Sequence, residues 1–134
     1  MSENMAANET SKEIQRSALT GVRILDLTRY QQGPFATVLL SDMGAEIIKI
    51  EEPGGEPGRA TGLGPDGFSA YFEAHNRGKK SVTLDLRTDD AREVIRRLLP
   101  SCEVVVENFR PGTMEKWGLG YDDLKKIVPD IILA

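Results

Sequence analysis

A chain of 134 residues is long enough to build one hydrophobic core, since single domains cluster at roughly 100–150 residues. An apolar fraction of 40%, a mean hydropathy of −0.32 and the lack of any apolar run near the ~20 residues of a membrane span predict a soluble globular protein with no membrane partner. A formal charge of −4 and an isoelectric point near 5.1 leave no general basic field for nucleic acid, although a local basic cluster can still meet a phosphorylated ligand.

Residues 1–18 are polar and lack the basic and apolar regions of a signal peptide, so a flexible amino-terminal arm is expected there, with a Rossmann-like domain over 19–134. Residues 21–28 read as a first strand that ends in the polar turn Arg29-Tyr30-Gln31-Gln32-Gly33. Pro34 suits the first position of a helix, Phe35, Val38 and Leu39 follow at helical spacing, and Gly44 closes it. Residues 46–50 form the second strand, completing a βαβ unit. The first turn has no G-x-G-x-x-G, so a nicotinamide dinucleotide is not expected.

Residues 53–67 carry repeated Gly and Pro, a loop too long for a plain connector and therefore a candidate functional one. Arg59 within it is expected to be solvated. Residues 69–75 read as a short helix, and Asn76-Arg77-Gly78 as its left-handed cap. Arg77, Lys79 and Lys80 make the densest basic cluster, either a solvated turn or a phosphate-facing patch. The sole histidine, His75, has no triad or metal partner nearby and is expected to be structural. Scattered carboxylates with one His and one Cys give no metal-ligand spacing, so no metal is expected.

A third strand is predicted over 81–86, followed by the clearest helix, 89–99. Its stripe is Ala91, Val94, Ile95, Leu98 and Leu99, with Thr88 as cap, Asp89 and Asp90 at the positive end and Arg96 and Arg97 at the negative end. Val104-Val105-Val106, preceded by Cys102, reads as a strand buried on both faces, as in parallel sheets covered by helices. The lone cysteine excludes an internal disulfide, fits a reducing, cytoplasmic setting, and is expected to be a small buried hydrophobe. Pro111-Gly112 breaks the strand and Thr113 is expected to cap a turn beginning at Met114, which places Asn108 and Lys116 at a strand's carboxyl end, where open α/β sheets bind ligands. A short helix around Tyr121, Leu124, Ile127 and Val128 and a last strand over 131–134 follow. A strand at the chain's end suggests the amino-terminal part of a longer α/β protein.

Residues 107–112 (Glu-Asn-Phe-Arg-Pro-Gly), together with Asp26-Leu27-Thr28, Gly33-Pro34-Phe35-Ala36-Thr37, residues 44–51, residues 76–81 and Gly118-Leu119-Gly120-Tyr121, closely resemble the start of the class III CoA-transferases. This CaiB/BaiF family holds formyl-CoA transferase, carnitine CoA-transferase and α-methylacyl-CoA racemase, and the likeness runs from about Gly21 to Ala134. It implies an interlocked homodimer whose substrates are acyl-CoA and a small carboxylic acid. In such enzymes an aspartate attacks the acyl-CoA thioester, giving a mixed anhydride and then an aspartyl-CoA thioester that the incoming acid resolves. That aspartate is expected beyond Ala134, which leaves no catalytic residue among these 134. Asp26 and Asp85 resemble framework positions in strands.

The resemblance also implies a coenzyme A site built from Gln31, near the reaction centre, Leu84, Arg87, Asn108, Phe109 and Lys116. Glu52 stands where some relatives carry an arginine for the nucleotide phosphate, and the usual Gly-Asp appears as Gly55-Glu56, so Arg87 or Lys79 becomes the candidate phosphate contact. The alternatives are an acyl-CoA racemase of the same family, or a non-catalytic nucleotide-binding or interaction module.

Overall fold

The structure is a computed structural model that describes residues 17–134, so the arm expected over 1–18 lies, but for its last two residues, outside the described residues. The elements are β1 (Arg23–Asp26), α1 (Gln32–Asp42), β2 (Glu46–Glu51), a 3-10 turn (Pro57–Ala60), α2 (Ala70–Asn76), β3 (Lys80–Thr83), α3 (Asp89–Leu98), a second 3-10 turn (Leu99–Ser101), β4 (Val104–Val106), α4 (Thr113–Lys116), α5 (Tyr121–Ile127) and β5 (Ile132–Leu133). Among the described residues the strands form one sheet in the order β3-β2-β1-β4-β5, every neighbouring pair parallel. The chain therefore winds outward from β1 to β3, returns across β1, and winds outward again to β5. The reversal opens a crevice at the carboxyl ends of β1 and β4, where ligands bind in such sheets.

Alternation along the central strands divides the core. Leu25 and Val105, paired across β1 and β4, pack with Ile95 and Leu99, Met114 and Leu124 on the face covered by α3, α4 and α5. Ile24 and Ile47, paired across β1 and β2, point to the other face with Ala45 and Leu40 at the end of α1. Burying each such aliphatic side chain contributes about 1.5–3 kcal/mol. Cys102 is buried in the larger cluster, in the role of a small hydrophobe.

Local chemistry sets the boundaries. Thr88 accepts from the Ala91 amide, and α3 runs from Asp89 and Asp90 to Arg96 and Arg97, charges that complement its dipole. Ala91, Ile95 and Leu99 are its buried stripe, whereas Val94, expected in that stripe, is 45% exposed. The third strand is shorter than predicted. After the Leu84 amide bonds Glu51 O, the Asp85 carboxylate accepts the Arg87 amide and its carbonyl the Thr88 amide, so residues 84–86 turn out of the sheet. Asp85 is thus not a strand residue. Helix α4 begins one residue early, at Thr113, because Gly112 adopts φ +83 as its cap and Thr113 makes no capping bond.

Candidate functional site

The turn from β1 into α1 is held from below by a buried polar network. Asp26, wholly buried, accepts from the Thr28 amide and hydroxyl, from the Thr37 hydroxyl at 2.6 Å and from Lys79 Nζ at 3.0 Å. Lys79 also donates to the Pro34 carbonyl and the Asn76 amide oxygen, and buried Lys49 donates to the Thr28 carbonyl at 2.8 Å. Burial alone would raise the Asp26 pKa, but the ammoniums of Lys49 and Lys79 and the hydroxyls of Thr28 and Thr37 bring it below the usual carboxylate range. Burial also lowers the Lys79 pKa, against the pull of Asp26. At Gly33 a Cβ would stand 2.4 Å from the Thr28 side chain, so this turn closes only over a glycine.

A second set of carboxylates binds the glycine-rich loop to the sheet. Glu51, at the end of β2, accepts from two of the three guanidinium nitrogens of Arg59 at 2.6 and 2.8 Å, from the Ser81 hydroxyl and from the Glu56 amide. Burial on its own raises the Glu51 pKa, yet these donors hold it at about 2. Arg59 is exposed, as expected, but its guanidinium is also fixed by this fork and lies 3.8 Å over the Phe72 ring. Glu56 accepts from the amides of Gly58 and Tyr30, and the latter bond keeps Tyr30 at φ +65, a costly conformation for a non-glycine residue. Its other oxygen, Oε2, is buried without a hydrogen-bond partner among the described residues.

Between these supports lies a cavity of about 250 Å³ at the carboxyl ends of the strands. Leu27, Ile50, Leu84 and Leu86 make its apolar floor, Phe109 and Trp117 an aromatic wall, and Arg29, Glu52, Asp85 and Arg87 its charged rim. The two rings meet edge to face with centroids 5.1 Å apart. Arg29 lies 5.1 Å over Phe109 and pairs with Glu52 at 3.0 Å. The Asn108 side chain grips the Arg29 backbone at both ends, accepting from its amide at 2.9 Å and donating to its carbonyl at 2.8 Å. Such an arrangement suits a flat ring with phosphate attached.

Of the residues anticipated for a ligand, Leu84, Arg87 and Phe109 line this cavity and Asn108 stands behind it on Arg29. Gln31 is exposed at the cap of α1 without a capping bond, and Lys116 is exposed beside Trp117; neither lines the cavity. The basic cluster of 77–80 is neither of the two alternatives as a whole. Lys79 is turned inward onto Asp26, while Arg77 pairs with Asp42 and Lys80 with Glu46 at the surface. His75 is structural, its Nδ1 2.8 Å from the Tyr71 carbonyl oxygen. Arg29, Glu56 and Trp117 were not foreseen. Trp117 carried a signal, being the one tryptophan in the chain and next to Lys116; the other two sit in turns whose partners are distant in sequence. Among the described residues no three His, Cys, Asp or Glu gather in a group able to hold a metal, and no helix is long and apolar enough to cross a membrane.

A doubly wound parallel sheet with an aromatic and arginine-rimmed cavity at its switch point defines a Rossmann-like α/β domain. Residues 19–134 match CoA-transferase family III, and the chain belongs to that family. It is 45% identical over 122 residues to a succinyl-CoA:mesaconate CoA-transferase of Haloarcula hispanica, covering 87% of this chain and 31% of that protein. It is 50% identical over 119 residues to a probable fatty acyl-CoA transferase of Mycobacterium tuberculosis, covering 87% of this chain and 30% of that protein. A solved structure of a CaiB/BaiF family protein from Brucella suis superposes with a TM-score of 0.82 at 42% identity, over 89% of this chain and 33% of that one. The chain thus spans about a third of the length of the relatives it matches, in the parallel α/β part they share.

Proposed function

We propose that this chain forms the coenzyme A-binding part of a CoA-transferase, which moves CoA between an acyl-CoA and a free carboxylic acid. The observation that carries the reading is the cavity itself. Ligand pockets run from roughly 300 to 1,000 Å³, so about 250 Å³ suits the adenine end of the coenzyme rather than the whole. In this reading the base enters between the apolar floor of Leu84 and Leu86 and the rings of Phe109 and Trp117. The phosphates pass out over the rim toward Arg87 and Lys116, and the pantetheine arm runs toward Gln31, at the start of α1.

The nucleophilic aspartate is proposed to lie outside these 134 residues, a placement supported by the state of the two candidates within them. Asp26 is buried under four donated hydrogen bonds, and Asp85 is forked onto Arg87, so neither is presented to a thioester. The attacking carboxylate would form a mixed anhydride with the acyl group as the CoA thiolate leaves. The thiolate then attacks the aspartyl carbonyl, expelling the donor's acid and leaving aspartyl-CoA for the acceptor carboxylate. The interlocked homodimer implied by the family stays part of the proposal, and the exposed apolar side chains of Phe35 and Leu39 on α1 and of Met43 at its cap offer a surface for subunit contact.

Trp117, the single tryptophan, reports the site directly. Titrating CoA should change its fluorescence saturably, and Phe109→Ala should weaken binding by about 1–3 kcal/mol, the worth of a stacked base. Binding that leaves Trp117 silent and Phe109→Ala unaffected would refute the placement. Acyl exchange assayed with succinyl-CoA and a panel of dicarboxylic acids, using the full-length protein, tests the activity.

A further inference from the structure

The rim of the cavity holds a pair whose chemistry the placement above does not use. In doubly wound folds the position just past the end of β2 faces the ribose: an acidic residue there accepts from a ribose hydroxyl, and an arginine nearby takes a phosphate on that ring. Here that position is Glu52, one residue beyond β2, and its carboxylate lies 3.0 Å from the guanidinium of Arg29. A carboxylate alone would repel a phosphorylated ribose. Arg29, however, is built into place more firmly than a surface arginine. Its backbone is gripped at the amide and the carbonyl by Asn108, and its guanidinium lies over Phe109, one wall of the cavity.

Resting on the reading of this cavity as the coenzyme's adenosine site, we propose that Arg29 is the specificity-determining residue for the ribose phosphate of CoA. Glu52 is its exchangeable partner, occupying the guanidinium when the site is empty and yielding it to the phosphate when CoA enters. Both side chains are about two-fifths exposed, so the pair is open to displacement. The phosphomonoester offers the fork a second negative charge and three acceptor oxygens where Glu52 offers one charge. Asn108 then acts as a positioning residue, contributing to recognition through the Arg29 backbone. Arg87, forked onto Asp85 and three-quarters exposed, lacks this support.

The test compares CoA with 3′-dephospho-CoA, titrated calorimetrically into the full chain and its variants. Arg29→Gln should weaken CoA about tenfold or more while changing dephospho-CoA less than about twofold, the loss expected of one charge-assisted contact. Glu52→Gln should tighten CoA and leave dephospho-CoA unchanged, because the phosphate no longer competes with a carboxylate. An unchanged thermal melt in each variant separates these effects from misfolding. If both ligands bind the unmodified chain and Arg29→Gln shifts them equally or not at all, the assignment of Arg29 falls while the cavity remains the nucleotide site. If Glu52→Gln weakens CoA, the exchange is wrong. If neither ligand binds or perturbs Trp117, the nucleotide reading fails and this inference with it.

Discussion

Replacing Asp26 by asparagine removes the only carboxylate bonded to the ammonium of Lys79 among the described residues, while keeping the side chain's shape. Lys79's side chain is 2% exposed and Lys49 is 1% exposed, so the variant leaves two ammonium groups inside the protein with no counter-charge bonded to either among the described residues. Breaking a buried pair from one side costs about 3–5 kcal/mol, a large share of the ~5–15 kcal/mol that holds a domain together. At this chain length each kcal/mol lowers the melting temperature by about 4 °C, so a drop of about 12–20 °C is expected. Adding Lys79→Met to Asp26→Asn should cost far less than Lys79→Met does in the unmodified protein, with a coupling of about 1–3 kcal/mol. The pH profile supplies a second reading. The folded pKa of Asp26 lies below its unfolded value, so its contribution is complete above about pH 4 and is lost as pH falls through the depressed value. Asp26→Asn should flatten that acid limb. Denaturant unfolding followed by circular dichroism, at neutral pH and at several acid values, measures all three quantities. A loss under about 1 kcal/mol, or strictly additive effects of Asp26→Asn and Lys79→Met, would show that the network does not act as one charged unit.

The Glu51 carboxylate, held at about 2, contributes stability that is complete above about pH 4.5 and is withdrawn as pH falls from there toward 2; Glu51→Gln should remove that portion of the acid transition in the same unfolding experiment. Lys116 is exposed, so Lys116→Ala should weaken CoA about two- to fivefold at low salt and much less at 1 M salt, measured by calorimetry. Burial raises the Cys102 pKa, and a thiol reagent should modify it slowly in the folded protein and rapidly in denaturant, read by mass spectrometry.

The parts of this structure legible from the sequence are those where one local signal dominates. The α3 caps, most of its stripe and the valine run of β4 declare themselves within a dozen residues. Leu84-Asp85-Leu86 deceived because alternating apolar residues look like strand, whereas the Asp85 carboxylate and the Arg87 amide form a turn. Lys79 deceived for a different reason. Its neighbours Arg77 and Lys80 are surface residues, and only the approach of Asp26, 53 positions away, draws it inside. The cavity followed the same rule. Phe109 and Leu84 were anticipated only through the family resemblance, and Arg29 becomes part of the rim through Asn108, 79 positions along the chain. Charge pairs between distant turns leave no trace in local spacing.

The double engagement of Glu56 limits how the glycine-rich loop can vary in length. Surface loops ordinarily accept inserted residues at small entropic cost. Between Glu51 and Gly58, however, Glu56 is tied by its amide to Glu51 and by its carboxylate to Gly58 and Tyr30, so an insertion there would release the backbone just before Gln31. Residues 61–67 are nearly all exposed, and the chain doubles back where Leu63 pairs with Ser69. Additional residues at Pro65-Asp66 would extend into solvent without touching the turn. Natural length variation in this loop should therefore concentrate after residue 60, with the first half kept at fixed length.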